Sequence, residues 1–126
     1  GLGSGALATS VSADSHHLTS VGTNNDDIAI ALNHLTQMQG GIVVVEGGAI
    51  VSELPLPIMG FTSDEGYEKV SHRLSTLHRA VKRQGCELSS PFMVLSFLAN
   101  PAIPELRISD KGLVHMCRRI LPLEAN

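Results

Sequence analysis

The spacing of apolar positions changes several times along this chain, and each change marks an element. Ala6 to Ala13 predicts a strand, because its Thr and Val residues suit a pleated surface. Asp14-Ser15-His16-His17 breaks that pattern, and Leu18 to Val21 predicts a second short strand that stops at Gly22. From Asn24 to Gln39 the apolar residues Ile28, Ala31, Leu32, Leu35 and Met38 recur every three or four positions, which predicts a helix. Asn24 or Asn25 suits its N-cap, and Asp26 and Asp27 suit the positive end of its dipole. Gly40-Gly41 is expected to supply the left-handed cap at its end.

The β-branched run Ile42 to Val45 predicts a buried strand, and Glu46-Gly47-Gly48-Ala49 a hairpin turn with Ile50 to Leu54 as the returning strand. Pro55 and Pro57 end that pairing, since proline has no N–H to donate. The apolar residues around them, Leu56 to Phe61, read as a segment crossing the edge of the core. Thr62 and Glu65 have the spacing of a capping box for a second helix, with Tyr67, Val70, Leu74, Leu77 and Val81 as its apolar stripe and Gly85 at its end. Pro91 to Ala99 is apolar throughout, and periodicity leaves helix and strand both open. Leu106 to Ile108 alternates like a strand, Asp110-Lys111-Gly112 is a turn, and Leu113 to Leu121 is a closing strand or a short helix. The order predicts an α+β fold, a mixed β-sheet with two main amphipathic helices packed on it. Gly1 to Gly5 reads as a flexible lead or the end of a linker, and 6–126 as one domain.

Composition narrows the functions. With 126 residues, 43% apolar and almost no aromatic side chains, the core must be built from aliphatic residues. A formal net charge of −3, with both signs dispersed, excludes the basic footprint of nucleic-acid binding and a basic membrane-surface helix. No apolar run reaches transmembrane length, and no signal peptide opens the chain. Cys86 and Cys117 are far apart, outside any zinc spacing, and read as reduced thiols of a cytoplasmic protein.

Chemistry concentrates in Asp14, Ser15, His16 and His17. These residues could form a metal site, a proton relay or a substrate clamp, or simply a polar loop bonding its own backbone. Adjacent histidines in extended backbone point to opposite sides, so at most one of the two serves a given site. Three consecutive residues do not make a Ser/His/Asp triad, and neither a nucleophile elbow nor the zinc deaminase pattern of His-x-Glu with Pro-Cys-x-x-Cys is present. Gly22-Thr23-Asn24-Asn25 could cradle an anion, but the two aspartates that follow favour helix capping. A stand-alone enzyme using His16 ranks last, since one loop offers too few groups.

An ordered series of segments resembles the C-terminal region of bacterial and archaeal adenine deaminases. It comprises Gly5 to Val11 leading into Asp14-Ser15-His16, Val21 to Asn24, Gly40 to Val45, Glu53 to Gly60, Pro91 to Ala99 and Asp110 to Val114. The resemblance runs from about Gly5 to about Val114. It implies the smaller domain of an amidohydrolase-superfamily enzyme that hydrolyses adenine to hypoxanthine and ammonia. It further implies that a divalent metal (manganese, iron or zinc) sits in a barrel preceding this region, with none expected in this chain. The partners it implies are that N-terminal barrel and adenine as substrate, and the chain alone is expected to be inactive. The family's loop reads His-Asp-Ser-His-Asn, so Asp14, Ser15 and His16 match while Ala13 and His17 depart from it. The alternative reading is a non-catalytic module for ligand binding or for self-association into a homo-oligomer, pointed to by the apolar runs Leu54–Phe61 and Pro91–Pro104.

Overall fold

The computed structural model describes residues 1–115 and the backbone of 119–121. In chain order the elements are β1 (Ala6–Thr9), β2 (Thr19–Gly22), α1 (Asn25–Gln37), β3 (Gly41–Glu46), β4 (Ala49–Pro55), α2 (Tyr67–Arg83), α3 (Pro91–Ser96), β5 (Leu106–Ser109), β6 (Gly112–His115) and β7 (Arg119–Leu121). Four strands form one sheet in the order β2-β1-β3-β4, and β5-β6-β7 form a second. The fold is α+β, as the pattern predicts. Its described ladders are all antiparallel, where a mixed sheet was expected. The closing segment is strand on both sides of residues 116–118; these, Cys117 among them, lie outside the described residues.

The central strands β1 and β3 are apolar at nearly every position because both faces of the sheet are covered. Ala8, Val43 and Val45 pack with Ala31 and Leu35 of α1 on one side. Leu7, Ile42 and Val44 pack with Leu77, Ala80 and Val81 of α2 and Phe92 and Leu95 of α3 on the other. Strand side chains alternate between faces, so one continuous apolar run serves two core layers. The undecided run Pro91 to Ala99 begins as a helix, with proline in its first turn where the missing N–H costs nothing. On α2 the buried stripe starts at Val70 rather than Tyr67, which is 86% exposed.

Three turns differ from the sequence expectation. β1 ends at Thr9, four residues early, because the backbone leaves the sheet once Ser10 finds side-chain partners. At the end of α1 it is Gln39, at φ 63°, that takes the left-handed position, with Gly40 N–H donating to Leu35 O at 2.9 Å and Gln39 N–H to Thr36 O at 3.2 Å. This is the double closure of a Schellman cap. Gly40 and Gly41 serve close approach instead: a Cβ on Gly40 would lie 2.5 Å from Gly60 Cα, and one on Gly41 would overlap Leu54 O. Nor do Thr62 and Glu65 form a capping box. Gly66 is the N-cap of α2, and Glu65 pairs with Lys69 at 2.7 Å and Arg73 at 2.8 Å, which together hold its carboxyl below the usual range.

The predicted hairpin is present. Glu46 pairs with Ala49, and Gly47 and Gly48 both have positive φ, the geometry whose twist matches that of paired strands. Asn24 caps α1, its Oδ1 accepting from Asp27 N–H at 2.8 Å. Asp27 accepts in turn from Asn24 Nδ2 at 2.9 Å and from Gly48 N–H at 2.7 Å, tying the helix start to the hairpin tip. The chain before β1 is also held: Gly3 N–H donates to Gln84 O at 2.7 Å, and a Cβ on Gly5 would overlap Val45 O and the Gln84 amide.

Two outcomes test this account. Leu77 is fully buried between α2 and the sheet, so Leu77→Ala lowers unfolding stability by about 2–5 kcal/mol in urea titration. Asp27's carboxyl is held below its ordinary value of 3.8, first by the Asn24 side chain and then by the Gly48 amide. A depressed folded value stabilises above pH 3.8 and loses that contribution as pH falls through the lowered value. Thermal midpoints of the wild type therefore fall more steeply on acidification than those of Asp27→Ala, and parallel curves would refute the tie.

Candidate functional site

The candidate residues lie in the loop 10–18, which joins the antiparallel partners β1 and β2. Its root is fixed by hydroxyls. Ser10 Oγ accepts from Gly41 N–H at 2.7 Å and donates to Gly60 O at 2.6 Å, while Thr9 Oγ1 accepts from Val11 N–H at 3.0 Å. Ser12 is fully buried, and its Oγ lies 2.7 Å from Ser15 Oγ, the hydrogen bond closing the loop on itself. Ser15 N–H donates to Ala13 O at 2.7 Å. The sequence alternatives for this stretch included a polar loop bonding its own backbone; the Thr9 hydroxyl makes a bond of that kind, whereas the Ser15 side chain bonds another side chain of the loop.

The loop is also bound from outside. Ala13 N–H donates to Ser96 O, at the end of α3, at 2.9 Å. Asn100 is 5% exposed; its Nδ2 donates to Asp14 Oδ2 at 3.3 Å, while its Oδ1 accepts from Ala102 N–H at 2.9 Å. Asp14 and His16 have φ of 60° and 53°, a left-handed conformation that costs a side-chain-bearing residue roughly 1–2 kcal/mol. The external bonds offset that cost and leave both side chains on the surface.

The four candidates are not gathered on one point. Asp14 is exposed beside Asn100, and Ser15 is half-buried against Ser12. His16 presents its ring edge-on to Phe61, with centroids 4.9 Å apart and planes at 78°. His17 instead lines a cavity of about 330 Å³ with Leu18, Thr19, Ser20, Ser109 and Asp110. The histidines thus face different surroundings, although His16 is left-handed and not extended. Ser15 pairs with a serine and His16 with an aromatic ring, so no nucleophile–base pair is assembled here. Among the described residues no three His, Cys, Asp or Glu side chains are grouped to hold a metal ion. The loop instead offers an exposed carboxylate and an exposed imidazole, groups that accept or donate hydrogen bonds to a ligand brought from outside.

Sequence reasoning missed Ser10 and Ser12, which brace the loop from within, and Phe61, Ser96 and Asn100, which support it from elsewhere in the chain. Asn100 alone left a signal: Asn-Pro marks a turn, and its side chain does close one onto Ala102. Elsewhere, His34 Nε2 lies 2.6 Å from Glu53 Oε2, and His78 Nδ1 lies 2.9 Å from Leu74 O with its ring 5.1 Å from that of Phe92. Both rings are half-buried at the edge of the core.

Comparison with known proteins adds a family. A profile described as "Adenine deaminase C-terminal domain" matches residues 1–119. A protein of Methylobacterium sp. (strain 4-46) named adenine deaminase is 50% identical over 123 residues, covering 97% of this chain and 22% of its own length. The adenine deaminase of Brucella anthropi is 49% identical over 114 residues, covering 90% and 20%, and that of Desulforamulus reducens is 43% identical over 122 residues, covering 96% and 21%. The chain spans about a fifth of the length of the curated relatives it matches. With a profile match along nearly its whole length and relatives at half identity, the chain belongs to the adenine deaminase C-terminal domain family.

Proposed function

We propose that this chain is the C-terminal domain of a metal-dependent adenine deaminase, which converts adenine and water to hypoxanthine and ammonia. In this reading it packs on a catalytic barrel of the amidohydrolase superfamily carried by the preceding four-fifths of the polypeptide, and holds loop 10–18 near the substrate pocket. The observation that carries the reading is the family match together with the form of that loop. By the resemblance, Asp14, Ser15 and His16 match the family's loop, and Asp14 and His16 take left-handed backbone with their side chains on the surface. Strain of this kind collects where side chains must be presented.

A divalent metal held in the barrel would supply an activated water; among the described residues of this chain no three His, Cys, Asp or Glu side chains are grouped to hold one of their own. The chain's contribution is positioning. His16, steadied by Phe61, and Asp14, steadied by Asn100, can orient the polar edge of a purine by hydrogen bonds. Ser15 stays within the loop and maintains its shape.

The isolated chain is then inert towards adenine, and ammonia release by it would refute the proposal. In the full-length Brucella anthropi relative, alanine at the position matching His16 lowers adenine turnover by about 100-fold, the order of loss expected when a bound substrate is misplaced. Metal content measured by mass spectrometry stays unchanged. Full activity in that variant would leave the loop a structural turn.

A further inference from the structure

One face of the domain exposes hydrocarbon around a short helix. α3 consists of Pro91, Phe92, Met93, Val94, Leu95 and Ser96; it buries Phe92 and Leu95 yet leaves Met93 60% and Val94 54% exposed. Leu88, Val21, Leu18 and Ile108 flank it, each between 43% and 54% exposed. A groove of about 200 Å³ runs between Gly1, Leu2, Val21, Leu88 and Val94. It shares Leu98 with the cavity that His17 and Asp110 line, so the apolar groove adjoins the more polar surface beside the candidate loop. Exposed hydrocarbon that is contiguous in this way marks an interaction surface.

We infer that the face around α3 docks the N-terminal remainder of the same polypeptide in the full-length proteins, and that this docking carries loop 10–18 to it. The inference rests on the reading above and names the surface that performs it. The matched family is a C-terminal domain, and the relatives are about five times longer than the matched region. In them the preceding polypeptide arrives at the position of Gly1, which lines the groove. A partner tethered at the rim of a patch has an effective concentration in the mM range. It can therefore use a contact built on one six-residue helix, whereas a free second copy needs roughly 800 Å² on each side. The same helix is bonded to the candidate loop through Ser96 and, just beyond it, through Asn100, so a partner seated on α3 meets Asp14 and His16 at a fixed offset.

The test uses the full-length Brucella anthropi relative with aspartate at the positions matching Met93 and Val94, both on the surface. The readout is the rate at which trypsin releases a C-terminal fragment near the 13.4 kDa of this chain. The aspartate pair accelerates release by about tenfold, roughly the effect of losing 1.4 kcal/mol of docking. Glutamine and threonine at the same positions, which keep side-chain volume, give a smaller acceleration in the same direction. Aspartate at the positions matching Ile50 and Val51, exposed on β4, leaves the rate unchanged. Release at the wild-type rate from the Met93/Val94 variant would overturn the inference, as would acceleration by the β4 pair alone. So would a dimer of the isolated chain, seen by sedimentation, that Met93→Asp and Val94→Asp abolish. The assay is independent of turnover, so normal docking in an enzyme indifferent to loss of the His16 imidazole would refute the loop's role and spare the surface.

Discussion

Burial of β1 and β3 on both faces is the constraint on which the rest of the molecule depends. A strand covered on one side alternates apolar and polar residues, but here Val43, Val44 and Val45 are all inaccessible to water. Each such side chain contributes about 1.5–3 kcal/mol on leaving water, and the gain is realised only if a helix closes each face. The amphipathic α1 and α2 are therefore required by the sheet as much as the sheet by them. The small residues Ala6 and Ala8 in β1 follow from the same constraint, since α1 lies directly over that strand.

Where the apolar strand stops, the backbone still needs partners for its buried N–H and C=O groups. Thr9 and Ser10 supply them with their hydroxyls, both at most 8% exposed. Ser10 bridges Gly41 and Gly60, which is possible because Gly40 carries no side chain to hold the 58–62 turn away. That turn bears Phe61, and Phe61 bears on His16. The position of an exposed histidine is thus traceable through one hydroxyl to the packing of two glycines.

Local features were legible in the sequence wherever the deciding interaction is local. The Asn24 cap, the Gly47-Gly48 hairpin and the stripe of α2 are set by residues within a few positions of one another. Features decided at a distance were not. Two consecutive glycines suggested a left-handed cap, but their role is to admit Gly60 and Leu54, which lie far along the chain, and Gln39 takes the cap. The spacing of Thr62 and Glu65 fits a capping box, but Glu65 is drawn forward by two cations on α2. In the site, the identity of the loop was readable, whereas its supports, Ser96 and Asn100, stand more than eighty positions away in the chain and carry no pattern linking them to it.

The path of the loop is set by its main chain at position 13 and by where positions 14, 16 and 17 point. Position 13 is fixed by its main chain: the N–H donates to Ser96 O and the carbonyl accepts from Ser15 N–H. Both bonds are made by the main chain, so the path of the loop at this position does not depend on which side chain stands there. Position 17 lies past the left-handed turn, where its side chain faces the cavity of Thr19 and Ser109 and not Phe61. At the surface of the loop stand Asp14 and His16, each with its own support: Asn100 for the carboxylate and Phe61 for the imidazole.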